Sequence, residues 1–144
     1  MVALLHPQSK GVERRMKLQK ATECALCILH YLHINEHSGK TYSAETIARA
    51  TNMSYPYFVK IANQLRDGGY IVSIQGRHGG YRLARTDQKV SVYDVILTME
   101  GTIQISNVIE GSASCNMQGY FNEVQDVLID KLSQKYVADF NIIA

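Results

Sequence analysis

Between residues 43 and 83 two short helical patterns stand three residues apart and lead directly into a β-branched run that folds back at a glycine-rich tip. Ser43 can accept from the exposed amides of a helix over Ala44–Ala50, whose first turn holds Glu45, a charge favoured by the helix dipole. Thr51, Asn52 and Met53 form the turn, and Asn52 is among the few non-glycine residues that tolerate left-handed backbone. Ser54 caps the next helix. Its first turn accepts Pro56, where a missing N–H costs little, and Phe58, Ile61, Ala62 and Leu65 share one face. Gly68-Gly69 stops it. Tyr70, Ile71, Val72, Ser73, Ile74 and Gln75 read as a strand, Gly76-Arg77-His78-Gly79-Gly80 as a tip, and Tyr81-Arg82-Leu83 as the returning strand.

The flanks extend this frame. Leu18, Ala21, Ala25, Ile28, Leu29 and Leu32 recur at helical spacing and predict a first helix ending between Asn35 and Gly39. Ser91 with Asp94 three residues on predicts a capping box for a helix over Val92–Glu100, closed by Gly101. Residues 102–110 are ambiguous, and 111–119 read as a small-residue loop holding Cys115. Val124, Val127, Leu128 and Leu132 then form an apolar stripe on a helix of about four turns over 122–138. The fold class expected is mainly α with a small β-hairpin (α+β), in the order of a helix-turn-helix followed by a wing. Residues 1–15 lack sustained periodicity and are set apart as a leader. Residues 16–101 form the winged unit, and 102–144 the loop and final helix.

A helix-turn-helix with a wing is built to meet double-stranded DNA. Its second helix is narrow enough for the major groove, which brings Ser54, Tyr55, Pro56 and Tyr57 nearest the base edges and phosphates, with Lys60 one turn on. Of the two tyrosines, Tyr57 is expected to lean into the core. Arg77 and His78 sit between glycines that permit close backbone approach to a phosphate or the minor groove, and Arg82 follows on the exit strand. Lys40, Arg49, Arg66 and Lys89 read as solvated surface. The net charge is only +2, but residues 1–15 carry +2, residues 16–90 carry +5 and residues 91–144 carry −5, a division expected when one face meets a polyanion and another meets protein. The competing reading, a protein-interaction module, would make the acidic Glu123, Asp126 and Asp130 its working surface. An enzyme is disfavoured: no nucleophile motif or paired metal-ligand spacing is evident, and residues 76–80 lack the lysine and serine or threonine of a phosphate-binding loop. Hydrophobic content of 46%, the lack of an apolar run near the roughly 18 residues of a membrane span, and an odd count of three cysteines lead to the expectation of a cytoplasmic chain with free thiols.

The motifs Met16-Lys17-Leu18, Lys20-Ala21-Thr22-Glu23, Ser54-x-x-Tyr57-Phe58, Leu65-Arg66-x-x-Gly69-Tyr70-Ile71, Gly79-Gly80-Tyr81-Arg82-Leu83-Ala84-Arg85 and Asp94-Val95…Glu100-Gly101 resemble the winged-helix regulators that include the iron–sulfur assembly, nitric-oxide-sensing and cysteine-metabolism repressors. The resemblance runs from Met16 to about Ala138. It implies a transcriptional regulator, in the main a repressor, whose C-terminal helix crosses to a second copy so that two winged units face a palindromic operator. It also adds Lys20 to the DNA-contacting set. The apolar stripe on the last helix agrees independently with dimerisation.

The cysteines depart from the family pattern. Cluster-binding members carry three cysteines in the loop before the dimerisation helix, where this chain has only Cys115, which disfavours a [2Fe–2S] cluster held in the usual way. At about 100° per residue, Cys24 projects about 80° from the centre of the first helix's apolar stripe and Cys27 about 140°. Cys27 therefore faces off the core, beside Glu23 and His30. Three readings stay open: structural cysteines beside a solvated glutamate and histidine; a thiol redox sensor drawn from Cys24, Cys27 and Cys115; and a metal or unconventional cluster held by Glu23, Cys27 and Cys115, since in some relatives a carboxylate at the place of Glu23 reaches across the dimer. The expectation is that no cofactor is needed, and the effector is not named by the sequence.

Overall fold

A computed structural model of the chain describes residues 16–37, 39–85, 89–106 and 116–140. The elements are α1 (Lys20–Ile34), α2 (Ala44–Ala50), α3 (Tyr55–Asp67), β1 (Ile71–Ile74), β2 (Gly80–Leu83), α4 (Val92–Glu100), α5 (Met117–Ser133) and a final 3-10 turn (Val137–Asp139). None of the described helices is long and apolar enough to cross a membrane.

Local signals act where the sequence places them. Ser43 accepts from the Thr46 amide and Ser54 from the Tyr57 amide, so each helix of the pair begins on its own serine. Asn52 takes φ 56°, and the Met53 amide returns to the Ala48 carbonyl at 2.8 Å, which fixes the angle between α2 and α3. At α4 the predicted capping box is complete: Asp94 N–H donates to Ser91 Oγ at 3.0 Å and Ser91 N–H donates to Asp94 Oδ2 at 2.9 Å.

The apolar faces meet in one core. Ala25, Ile28 and Leu29 of α1, Ile47 of α2, and Phe58, Ile61 and Leu65 of α3 are almost wholly excluded from solvent, with Ile71 of β1 and Val95 of α4 beside them. Burying such side chains contributes about 1.5–3 kcal/mol each. Helix α1 lacks a side-chain cap of its own. The carboxylate of Glu100, at the end of α4, substitutes for one: Oε2 accepts from Gln19 N–H at 3.2 Å and from the buried Thr22 hydroxyl at 2.6 Å.

The hairpin pairs antiparallel with Ile71 opposite Leu83 and Ile74 opposite Gly80. It has a third contributor that the sequence reading left as loop. Tyr42 bridges Tyr81 through Tyr42 N–H to Tyr81 O at 2.9 Å and Tyr81 N–H to Tyr42 O at 2.8 Å. Gly80 makes this possible, because it holds φ +150° and any Cβ there would fall on the Tyr42 carbonyl.

Two helices differ from expectation in their bounds. Helix α1 begins at Lys20, two residues past Leu18. The final helix runs over Met117–Ser133, not 122–138. It starts earlier because Gly119, read as part of a loop, sits in the helix with open space around its Cα, while Gln118 Nε2 donates to Asn122 Oδ1 one turn on at 2.8 Å. It ends earlier because tertiary pairing outcompetes the helix: Val92 N–H donates to Lys135 O and Val137 N–H donates to Val90 O, both at 2.8 Å. Val137 is thereby buried in the core and moors the end of α5 to the winged unit. Along α5 itself no residue is buried, and Tyr120 and Val127 are 61% and 70% exposed.

Candidate nucleic-acid interface

Helix α3 holds its inner face against the core with Phe58, Ile61, Ala62 and Leu65, which leaves its first turn outward. Ser54, Tyr55, Pro56 and Lys60 are exposed there, as the sequence anticipates. Ser54 Oγ accepts the Tyr57 amide and can still donate its own hydrogen outward. Tyr57 is the half-buried tyrosine of the pair and Tyr55 the exposed one. Lys20, exposed at the start of α1, lays its Nζ 5.8 Å from the centre of the Tyr57 ring, so α1 adds a cation beside the first turn of α3.

The wing and the reading helix are mechanically joined. Phe58 packs edge-on against Tyr81 of β2, with ring centres 5.3 Å apart, and Tyr81 is the residue bridged to Tyr42. The tip is pinned as well: the Thr41 hydroxyl donates to His78 O at 2.8 Å. Arg77 and His78 are exposed at the tip. Arg82 lies apart from them on β2 and, with Lys40, Thr41 and His78, borders an open cavity of about 630 Å³ between the α1–α2 connection and the wing.

Lys40, exposed as a surface residue is expected to be, stands on the rim of this cavity with Nζ 5.1 Å from the Tyr42 ring centre. The signal for its place was the run Thr41-Tyr42, whose β-branched and aromatic character marks an extended stretch able to carry Lys40 to the sheet. Among the other cations read as surface, Arg66 pairs weakly with Asp67 at 3.7 Å and Lys89 covers the Tyr136 ring at 5.6 Å.

On α1, Cys24 is half-buried and Cys27 exposed, in the order the helical projection gives. The Tyr57 hydroxyl has its pKa raised, by desolvation first and then by the neighbouring Cys24. The Cys27 thiol is pushed up by burial first, then by Cys24 and Glu23. His30 is not simply solvated: its Nε2 lies 2.9 Å from Phe140 O, and its ring meets Phe140 edge-on. Cys115 lies outside the described residues.

Residues 18–141 match the model of the Rrf2 family, described as iron-dependent transcriptional regulators. The chain belongs to the Rrf2 family. The HTH-type transcriptional regulator NsrR of Shouchella clausii is 26% identical over 131 residues, which cover 86% of this chain and 87% of that one. The HTH-type transcriptional regulator CymR of Bacillus subtilis is 32% identical over 95 residues, covering 66% and 68%. The solved structure of B. subtilis CymR, described as the global cysteine regulator, superposes with a TM-score of 0.74 at 25% identity, covering 87% of this chain and 95% of that one. The protein is therefore a DNA-binding transcriptional regulator with a winged helix-turn-helix fold, and its relatives are named as regulators, not enzymes.

The family description raises iron. Among the described residues no three His, Cys, Asp or Glu side chains come together as a metal site. Glu23 and Cys27 share a face of α1, but two donors do not close a coordination sphere, and the Cys27 pKa is raised, by burial first and then by Cys24 and Glu23, which disfavours thiolate. The described residues alone do not fit the group, and no step below is routed through it.

Proposed function

We propose that two copies of this chain pair through α5 and bind a two-fold symmetric operator in double-stranded cytoplasmic DNA, repressing transcription where they sit. The observation that carries the pairing is the face of α5. It is moored at its C-terminal end by Val137 and presents Tyr120, Val124, Val127 and Leu128 to solvent, beside an open, mostly apolar groove of about 490 Å³ bordered by Met16, Leu18, Ile96 and Leu132. A row of large apolar side chains this exposed marks an interaction surface. A symmetric interface uses each of them twice, so burying both copies of Val127 is worth about 3–6 kcal/mol.

In this reading residues 16–101 meet DNA and residues 102–144 pair the copies. Ser54, Tyr55, Pro56 and Lys60 approach the major groove, with Lys20 on the adjoining phosphates. Arg77 and His78 reach the neighbouring backbone or minor groove, and Arg82 and Lys40 hold the phosphate beneath the wing. The exposure of Lys20, Lys40, Lys60 and Arg77 and the bridging of the wing to α3 through Phe58 and Tyr81 support it.

Two measurements test the reading. Sedimentation equilibrium should give a dimer for the native chain and a monomer for Val127→Glu; a native monomer at micromolar concentration would overturn the pairing. Binding to a duplex enriched by the protein from random sequence should weaken by orders of magnitude as salt rises from about 50 to 200 mM, through release of counterions from the phosphates. A flat salt dependence would overturn the contact assignment.

A further inference from the structure

Beneath the wing the open cavity adjoins a small inner pocket, and the two share Gly39, Lys40 and Arg82 on their walls. In the outer space, about 630 Å³, the charged groups Lys40 and Arg82 are both cations, and Thr41 and His78 complete the polar rim. The inner pocket, about 20 Å³, has room for one water-sized group, and its walls add the carboxylate of Glu36 beside the apolar Leu32 and Leu83. Charges of both signs therefore border adjoining spaces.

These charges do not consume one another. Among the described residues Glu36 forms no ion pair with Lys40 or Arg82, and Lys40 Nζ lies instead 5.1 Å from the Tyr42 ring centre. The wall that carries them is fixed. The Tyr42 hydroxyl donates to Asn35 O at 2.6 Å, its ring meets Tyr31 edge-on with centres 5.6 Å apart, and its main chain is bridged to Tyr81. Preformed spaces of this kind, with a few converging polar groups, are where small ligands bind.

A DNA phosphate accounts for Lys40 and Arg82 but not for Glu36, whose charge would repel it. A ligand that carries both charges accounts for all of them. We infer that these adjoining cavities bind a free α-amino acid, with its carboxylate on Arg82 and Lys40 and its ammonium in the inner pocket beside Glu36. An α-amino acid holds its two charges on one carbon, which suits spaces joined at Arg82 and Lys40. The planar guanidinium can grip a carboxylate through two parallel hydrogen bonds, and the outer cavity leaves room for a side chain between Thr41 and His78. The bound carboxylate takes the cations that the reading above gives to the phosphate beneath the wing. Amino acid and DNA therefore compete, and the amino acid releases the operator.

The competition rests on the DNA-binding reading, so the test has one arm without DNA. The isotope-labelled protein is titrated with the standard L-α-amino acids singly while amide chemical shifts are followed. The expected result is that at least one of them saturates shifts at Lys40, Thr41, His78 and Arg82. Its N-acetyl derivative, which lacks the ammonium, and its amide, which lacks the carboxylate, should each bind at least about tenfold more weakly, as should Glu36→Gln and Arg82→Gln towards the amino acid itself, since each change removes a charge-assisted hydrogen bond. No saturable shift with any standard amino acid, an N-acetyl derivative that binds equally well, or an unchanged affinity in Glu36→Gln would overturn the inference. In the second arm the amino acid at saturation should weaken binding to the enriched duplex by about five- to a hundredfold, and Glu36→Gln should lose that response at the same concentration. Saturable shifts with duplex affinity unaltered would overturn the competition. Saturable shifts in a protein that binds no duplex would overturn the DNA reading alone.

Discussion

Replacing Gly80 by alanine tests whether the wing is held by its bridge to Tyr42. The substitution forces an L-residue to φ +150°, and its Cβ would lie 2.7 Å from the Tyr42 carbonyl carbon, in addition to striking the carbonyl oxygen. The backbone strain costs about 1–3 kcal/mol. The segment 40–43 must also move away, which breaks both Tyr42–Tyr81 hydrogen bonds, worth about 0.5–1.5 kcal/mol each. The expected loss is therefore about 2–6 kcal/mol. Gly76→Ala is the control: it has φ +108° but nothing within 4 Å of a Cβ, so it carries the strain without the collision. Urea unfolding should place Gly80→Ala below Gly76→Ala by the value of the bridge, about 1–3 kcal/mol, a separation on the order of 1 M in midpoint. Exchange at the Tyr42 and Tyr81 amides should rise only in the Gly80 variant. Equal midpoints for the two variants would refute the claim that this contact holds the wing.

Glu100→Ala should destabilise the fold by about 1–3 kcal/mol in urea unfolding, because it orphans the buried Thr22 hydroxyl and uncaps α1. Arg77→Ala should lower the slope of log affinity against log salt by about one unit in fluorescence anisotropy, with little change in preference among duplexes. His33 has its pKa lowered, by burial first and then by His30, and its Nε2 is buried without a partner among the described residues. The unfolded chain therefore binds the proton more readily, so stability should rise with pH between the depressed folded value and about 6.5. His33→Gln should flatten that part of the stability–pH curve, and an unchanged slope would exclude the assignment.

Why the helix-turn-helix is legible in the sequence and the final helix is not follows from where the determining contacts lie. Ser43, Asn52, Ser54 and the Ser91–Asp94 pair act on amides within three residues, so their effect is written in adjacent letters. The end of α5 is fixed by residues 90–92, some forty positions upstream, and no periodicity within 122–138 records that pairing. The strand-like bridge of Tyr42 to Tyr81 is likewise set by a partner some forty positions away. For the cysteines, helical projection separates the half-buried Cys24 from the exposed Cys27.

The connections of α1 explain how an event on one face of this protein could alter both DNA contact and pairing. Toward the reading helix it offers Lys20 to the ring of Tyr57. Toward the end of α4, where the chain leaves for α5, it is capped by Glu100. Toward the segment that follows α5 it offers His30 to Phe140. A helix packed on one face as closely as this one, with Ala25, Ile28 and Leu29 wholly excluded from solvent, cannot adjust one of these contacts by sliding without cost to the core.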